Sequence, residues 1–141
     1  IKTLSNNECG FEYRGSVFQK NGGIILSAEF SLKPGIKEEI TALCNNFNQR
    51  RRDKQPLQYP SAGSTFKRPE GYFAGKLIED CGLKGFCIGG ASVSEKHSGF
   101  VVNNGNATAN DVLNLIRHIQ RTVKEKFGVE LHEEVKYISE K

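Results

Sequence analysis

Neither methionine nor tryptophan occurs in the 141 residues, and prolines number only four. Cysteine is scarce too: Cys9, Cys44, Cys81 and Cys87 form no C-x2-C pair, and His97, His118 and His132 stand at unrelated spacings. A zinc site or a dithiol redox centre therefore has no support in the sequence. The cysteines read as free thiols of a reducing compartment, and the expected location is cytoplasmic. No apolar run approaches the roughly 18 residues of a membrane span, which excludes a transmembrane helix, and no secretory signal is recognisable. A chain that opens on Ile1 and lacks Met reads as a piece of a longer protein. Low-complexity tracts and internal repeats are also missing, so disorder is not expected.

What is present suits a small domain that needs no disulfide or metal to hold it: 37% of the residues are hydrophobic and 26% are charged. The net charge is +4, and its one dense cluster is Arg50, Arg51, Arg52 and Lys54. Two readings of that cluster stay open. Cations in the last turn of a helix complement its dipole, and a local basic cluster also suits an anionic small molecule. A nucleic-acid surface would need aromatic side chains beside the basic residues. Only Tyr59 and Phe66 qualify, so nucleic acid is set aside as a partner.

The pattern along the chain predicts an α+β fold, with a mixed sheet packed against helices. Residues 22–32 read as a turn and a strand, with Ala28, Phe30 and Leu32 on one face. Ile36, Ile40, Leu43, Cys44 and Phe47 predict a helix that runs into the arginines. Pro56 and Pro60 mark a boundary, which divides the chain into residues 1–55 and 56–141. A turn-rich loop at 61–69, a short helix carrying Phe73, Leu77 and Ile78, and short strands at 86–88 and 99–102 follow. The clearest helix starts at Thr108, with Asp111 completing a capping box. Val112, Leu115, Ile116, Ile119, Val123 and Phe127 form its stripe, and Gly128 is its C′ residue. Strands at 129–131 and 135–138 close the chain.

Three clusters go further than pattern: Cys9-Gly10-Phe11-Glu12-Tyr13-Arg14-Gly15-Ser16-Val17-Phe18, Ser61-Ala62-Gly63-Ser64-Thr65-Phe66-Lys67-Arg68-Pro69, and Leu131-His132-Glu133-Glu134-Val135-Lys136-Tyr137-Ile138. Together, and in this order, they resemble the UDP-N-acetylenolpyruvoylglucosamine reductases (UDP-N-acetylmuramate dehydrogenases), flavoenzymes of bacterial cell-wall precursor synthesis. The segments 71–78, 89–91 and 100–103 and Lys126-Phe127-Gly128 extend the resemblance over essentially the whole chain. Nothing here matches the glycine-rich loop that holds the FAD pyrophosphate in that family. The resemblance thus implies a C-terminal portion: the tail of an FAD-binding region in 1–55 and a substrate-binding domain in 56–141.

The chemistry implied is a two-stage reduction. NADPH reduces FAD, and a hydride then adds to the terminal carbon of the enolpyruvyl double bond of a UDP-sugar. An enolate-like aci-carboxylate results, and a proton quenches it. Such a reaction needs a fixed cation at the developing charge and a well-placed acid beside the carbon. Arg14 matches the family arginine at that charge, and Tyr13 beside it is a candidate substrate contact. Ser64 matches the family serine that delivers the proton. Glu134 matches the family acid before the closing Val, while neighbouring Glu133 should face away. Arg51, Lys54 and Lys67 are candidates for the diphosphate or the carboxylate, and no metal is implied. Arg68 stands where many relatives have Asn, and Ser139 where Gly is common. The isolated segment is expected to be colourless and inactive, with its sheet edge open to self-association. The alternative is a catalytically silent module that holds a UDP-sugar.

Overall fold

The computed structural model describes residues 1–138; Ser139 lies outside them. The chain divides into two compact units, Ile1–Lys37 and Glu38–Lys141.

The first unit contains α1 (Val17–Asn21), which the sequence reading did not anticipate. Ser16 and Gln19 form its capping box, and Gly22 ends it in the left-handed region at φ 67°. No α1 residue is buried, and Cys9 and Ser16 are the buried residues of this unit. No strand forms at 22–32. Ile24, Leu26, Phe30 and Leu32 are exposed, and no described segment pairs with them. The alternation of side chains is that of a strand, but a strand exists only as part of a ladder.

All of α2 (Lys37–Lys54) but its first residue lies in the second unit, with Glu38 and Glu39 in the first turn and Arg51, Arg52 and Lys54 in the last. Both ends therefore complement the helix dipole. The expected stripe is there, yet Ile40 is 50% and Phe47 56% exposed, and no α2 residue is buried. Periodicity predicted the helix correctly but could not say whether anything covers it.

Four short strands follow: β1 (Ser61–Ser64), β2 (Cys87–Ile88), β3 (Ala91–Val93) and β4 (Phe100–Asn103). They form one sheet in the order β1-β4-β3-β2, and every pairing is antiparallel. The α+β class holds. The expected mixed sheet is antiparallel throughout: β2, β3 and β4 follow one another by short connections, and β1 pairs antiparallel with β4 although a helix, β2 and β3 lie between them in sequence. β2 and β3 are joined by the two-residue turn Gly89-Gly90. A Cβ at Gly89 would stand 2.4 Å from the Asp111 carboxyl, and one at Gly90 would stand 2.4 Å from the Ala107 nitrogen. Only glycine lets this turn lie against the start of the last helix.

Helix α3 (Ala74–Asp80) and helix α4 (Ala109–Phe127) pack together, and α4 also lies against β2 and β3. Leu115, Ile116, Ile119 and Val123 of α4 meet Ile78, Val93, Val101 and Phe66 in the core. The caps of α4 are as expected. The Thr108 hydroxyl accepts from Asp111 N–H at 3.1 Å, the Asp111 carboxylate accepts from Thr108 N–H at 2.9 Å, and Gly128 takes φ 68°.

These bonds hold the Asp111 carboxyl below its usual range, Thr108 N–H being the largest cause and its hydroxyl the next. Thr108→Ala is expected to cost about 1 kcal/mol of stability. Because the Asp111 pKa is lowered by folding, its contribution is complete above the unfolded carboxyl range and is lost as pH falls through the folded value. Urea unfolding of wild type and Asp111→Asn between pH 7 and pH 2 checks the sign: the two should converge in acid.

The closing strands at 129–131 and 135–138 do not form as a pair. The residues between them, 132–134, bond instead to residues 65–67, and that docking builds the site.

Candidate active site

Ser64 ends β1 beside an irregular register. Ser61 pairs with Val102 and Ser64 with Phe100, so β1 carries one residue more than β4 over the same stretch. The extra residue lies between Ser61 and Ser64, where Gly63 takes a φ of 84° that suits glycine. Thr65 clamps the other side: its N–H donates to Gly99 O at 2.9 Å, and its Oγ1 accepts from Val101 N–H at 3.0 Å. A bulge followed by a clamp re-aims the serine, whose hydroxyl donates to Phe66 O at 3.2 Å.

The closing segment docks on this same stretch. Lys67 N–H donates to His132 O at 2.8 Å, Glu134 N–H donates to Thr65 O at 2.9 Å, and Phe66 bridges to Glu133. Glu134 is thereby bonded to the residue next to Ser64. Glu133 turns toward α4, where its carboxylate accepts from Gln120 Nε2 at 3.3 Å. The same amide holds Leu131 O at 3.0 Å. Adjacent residues of an extended segment face opposite ways, so Glu134 lies on the side away from Gln120.

Ser64 opens into a groove of about 600 Å³ walled by Arg51, Tyr59, His97 and Phe100, among others. Arg51 reaches it from the last turn of α2, with Nε donating to Gln55 Oε1 at 3.1 Å. The α2 end is tied down by Lys96, whose Nζ donates to Arg52 O at 2.5 Å. That bond satisfies one of the carbonyls a helix C-terminus leaves open. Of the three basic candidates, Arg51 lines the groove, while Lys54 and Lys67 do not. Arg68 is engaged locally: its guanidinium stacks on Phe73 at 4.0 Å and its Nε donates to Tyr72 O at 3.3 Å.

In the first unit, Tyr13 and Arg14 form the tip of a tight turn closed by the reciprocal bonds of Glu12 and Gly15, at 3.0 and 3.1 Å. Arg14 takes φ 56°, and it alone among the described non-glycine residues has a positive φ. Its Nε donates to the Tyr13 hydroxyl at 3.2 Å, and its guanidinium lies 5.6 Å from the Tyr13 ring centroid.

His97 was missed at the sequence level, where its spacing to the other histidines and to the cysteines carried no signal. Its place in the groove depends on β1 pairing with β4, which no local pattern reveals. Among the described residues, no group of three or more His, Cys, Asp or Glu is arranged to hold a metal, and no helix is long and apolar enough to cross a membrane. All four cysteines are free.

Residues 55–138 match the model of the UDP-N-acetylenolpyruvoylglucosamine reductase C-terminal domain. The UDP-N-acetylenolpyruvoylglucosamine reductase of Caldanaerobacter subterraneus is 63% identical over the full chain, which covers 47% of that protein. The enzyme of the same name from Clostridium perfringens is 59% identical over 98% of this chain, covering 45% of that protein. The crystal structure of UDP-N-acetylenolpyruvylglucosamine reductase from Thermus caldophilus superposes with a TM-score of 0.74 at 42% identity, covering 89% of this chain and 44% of that one. The chain thus spans about half the length of the curated relatives it matches. Since the domain model accounts for more than half of the residues, and the fold agrees with a solved relative, the chain belongs to the UDP-N-acetylenolpyruvoylglucosamine reductase family.

Proposed function

We propose that this chain is the C-terminal portion of a cytoplasmic flavoenzyme that reduces UDP-N-acetylglucosamine enolpyruvate to UDP-N-acetylmuramate with NADPH, for peptidoglycan precursor synthesis. The observation that carries the reading is the bulge at Gly63, which sets a serine hydroxyl in a groove whose wall also holds a guanidinium. The division into a flavin-region tail, 1–55, and a substrate domain, 56–141, is part of the proposal, and the domain match over 55–138 supports it.

The groove suits the reacting end of a flavin and an enolpyruvyl ether: it offers the Ser64 hydroxyl, the Arg51 guanidinium and the rings of Tyr59 and Phe100. No glycine-rich strand-to-helix loop for a pyrophosphate occurs among the described residues, so these side chains are assigned to substrate and not to the FAD diphosphate. When bound, FAD reduced by NADPH supplies a hydride to the terminal enolpyruvyl carbon. Arg14 offsets the charge on the substrate carboxylate, to which a guanidinium can fork, with Tyr13 bracing it. The positive φ of Arg14 supports that role, since strain of this kind collects at functional positions. Ser64 gives its proton to the adjacent carbon, and Glu134, bonded to the Thr65 backbone, orients the substrate or a water there. Arg51 binds an anionic oxygen of the substrate; Lys54 and Lys67 are weaker candidates for the diphosphate, because neither lines the groove. The isolated segment is inactive in this reading and self-associates through the uncovered stripe of α2.

The test uses the complete protein that carries this segment. Its purified form should be yellow and should oxidise NADPH catalytically, beyond one equivalent per flavin, only when the enolpyruvyl UDP-sugar is present, giving a product heavier by one hydride and one proton. Tight UDP-sugar binding with no flavin and no turnover would instead select the silent binding module.

A further inference from the structure

The turn between β3 and β4 is organised by one hydroxyl. Ser94 Oγ accepts from the backbone N–H of Lys96 at 3.1 Å and of His97 at 3.3 Å, and Lys96 anchors the turn to the end of α2. The His97 ring is held just as closely. It stands edge-on to Phe100, with centroids 5.0 Å apart and planes at 68°, and a Cβ at Gly75 would lie 3.3 Å from its Cε1. Its Nδ1 accepts the Gly99 N–H at 3.1 Å.

A backbone N–H can only donate, so Nδ1 carries a lone pair and the neutral ring keeps its proton on Nε2. His97 therefore offers one N–H donor with a fixed direction. Ring and serine line the same groove, and Phe100, against which the ring rests, is the cross-strand partner of Ser64. Opposed residues of an antiparallel pair have Cβ atoms about 5 Å apart. The Ser64 proton lies on Phe66 O, which leaves the oxygen lone pairs of Ser64 to meet a donor.

We propose that His97 is a positioning residue whose Nε2–H holds the negative charge that Ser64 Oγ acquires as it gives up its proton. The inference rests on the reading of Ser64 as proton donor. In that step the Ser64 O–H bond breaks, and the electron pair of the substrate enolate forms the new C–H bond. His97 donates a hydrogen bond to the resulting alkoxide without transferring its own proton, until water returns one to Oγ. An isolated serine hydroxyl is a poor acid, and a preorganised donor at the developing oxyanion is the kind of group that corrects this.

The test is made in the complete flavoenzyme with each half-reaction followed separately. His97→Phe keeps the ring against Phe100 and removes the donor. Reoxidation of the flavin by the enolpyruvyl substrate should slow about 100-fold, the usual effect of deleting one oxyanion donor. KM and flavin reduction by NADPH should be unchanged, while the thermal midpoint should fall modestly because Phe also removes the acceptor of the Gly99 N–H. His97→Gln, whose amide N–H can stand near the Nε2 position, should recover most of the rate. Combined with Ser64→Ala, His97→Phe should add no further loss, because the two act as one unit. Nitrogen-15 shifts of the ring should independently find the neutral tautomer protonated at Nε2. The proposal is overturned by an unimpaired His97→Phe enzyme, by a change in KM alone, by Gln no better than Phe, or by a proton on Nδ1. A Ser64→Ala enzyme that reoxidises at the normal rate would overturn the assignment of Ser64 itself, which is a distinct failure.

Discussion

Under the proposed reaction, Ser64→Ala in the complete protein should leave flavin reduction by NADPH intact and stall reoxidation by the enolpyruvyl substrate. Hydride addition to an alkene leaves an electron pair on carbon, and the reaction does not complete until that carbon is protonated. Loss of a positioned acid costs about 10²–10⁴-fold, so the oxidative half-reaction alone should fall by that amount. Ser64→Cys should keep part of the rate, because a thiol can donate a proton from nearly the same position on the β1 bulge. Glu134 separates from it by chemistry: Glu134→Gln should be milder than Glu134→Ala if the carboxylate orients by hydrogen bonding, and equally severe if it must deliver a proton. Stopped-flow flavin absorbance reads each case. Normal reoxidation in Ser64→Ala would remove this serine from the mechanism and leave Glu134 as the better acid.

Arg14→Lys is the second large effect. Charge is kept, but the planar fork is lost, and a lysine cannot present two parallel N–H groups to a carboxylate. Turnover should fall about 10²–10³-fold, as when an oxyanion donor is removed, with flavin reduction nearly unchanged. The backbone supplies a control. At φ 56° a side chain is strained, and a left-handed residue costs about 1–2 kcal/mol unless it is glycine. Arg14→Gly should therefore abolish turnover while leaving stability level or slightly higher, a split that simple misfolding cannot produce. Equal loss in both half-reactions would move Arg14 from the substrate carboxylate to the flavin side.

The sequence by itself determined whatever is closed within a few turns of chain. Helix α4 was legible from Thr108 to Gly128 because both caps and the whole apolar stripe lie inside it, and helix bonds span only four residues. The three ordered clusters determined the family for a similar reason, since motif and spacing are carried by the chain itself. Tertiary structure decided the rest. Residues 22–32 have the alternation of a strand, and α2 has the stripe of a packed helix, but burial needs a partner that periodicity cannot supply. The Gly63 bulge exists only relative to β4, some 36 residues further on. Glu134 comes beside Ser64 because residues 132–134 pair with 65–67 instead of with the chain's own end. His97, with no local signal at all, enters the groove through Phe100. Helices are written in local hydrogen bonds, while sheets and clefts are made by contacts distant along the chain, and the site of this protein is built from the second kind.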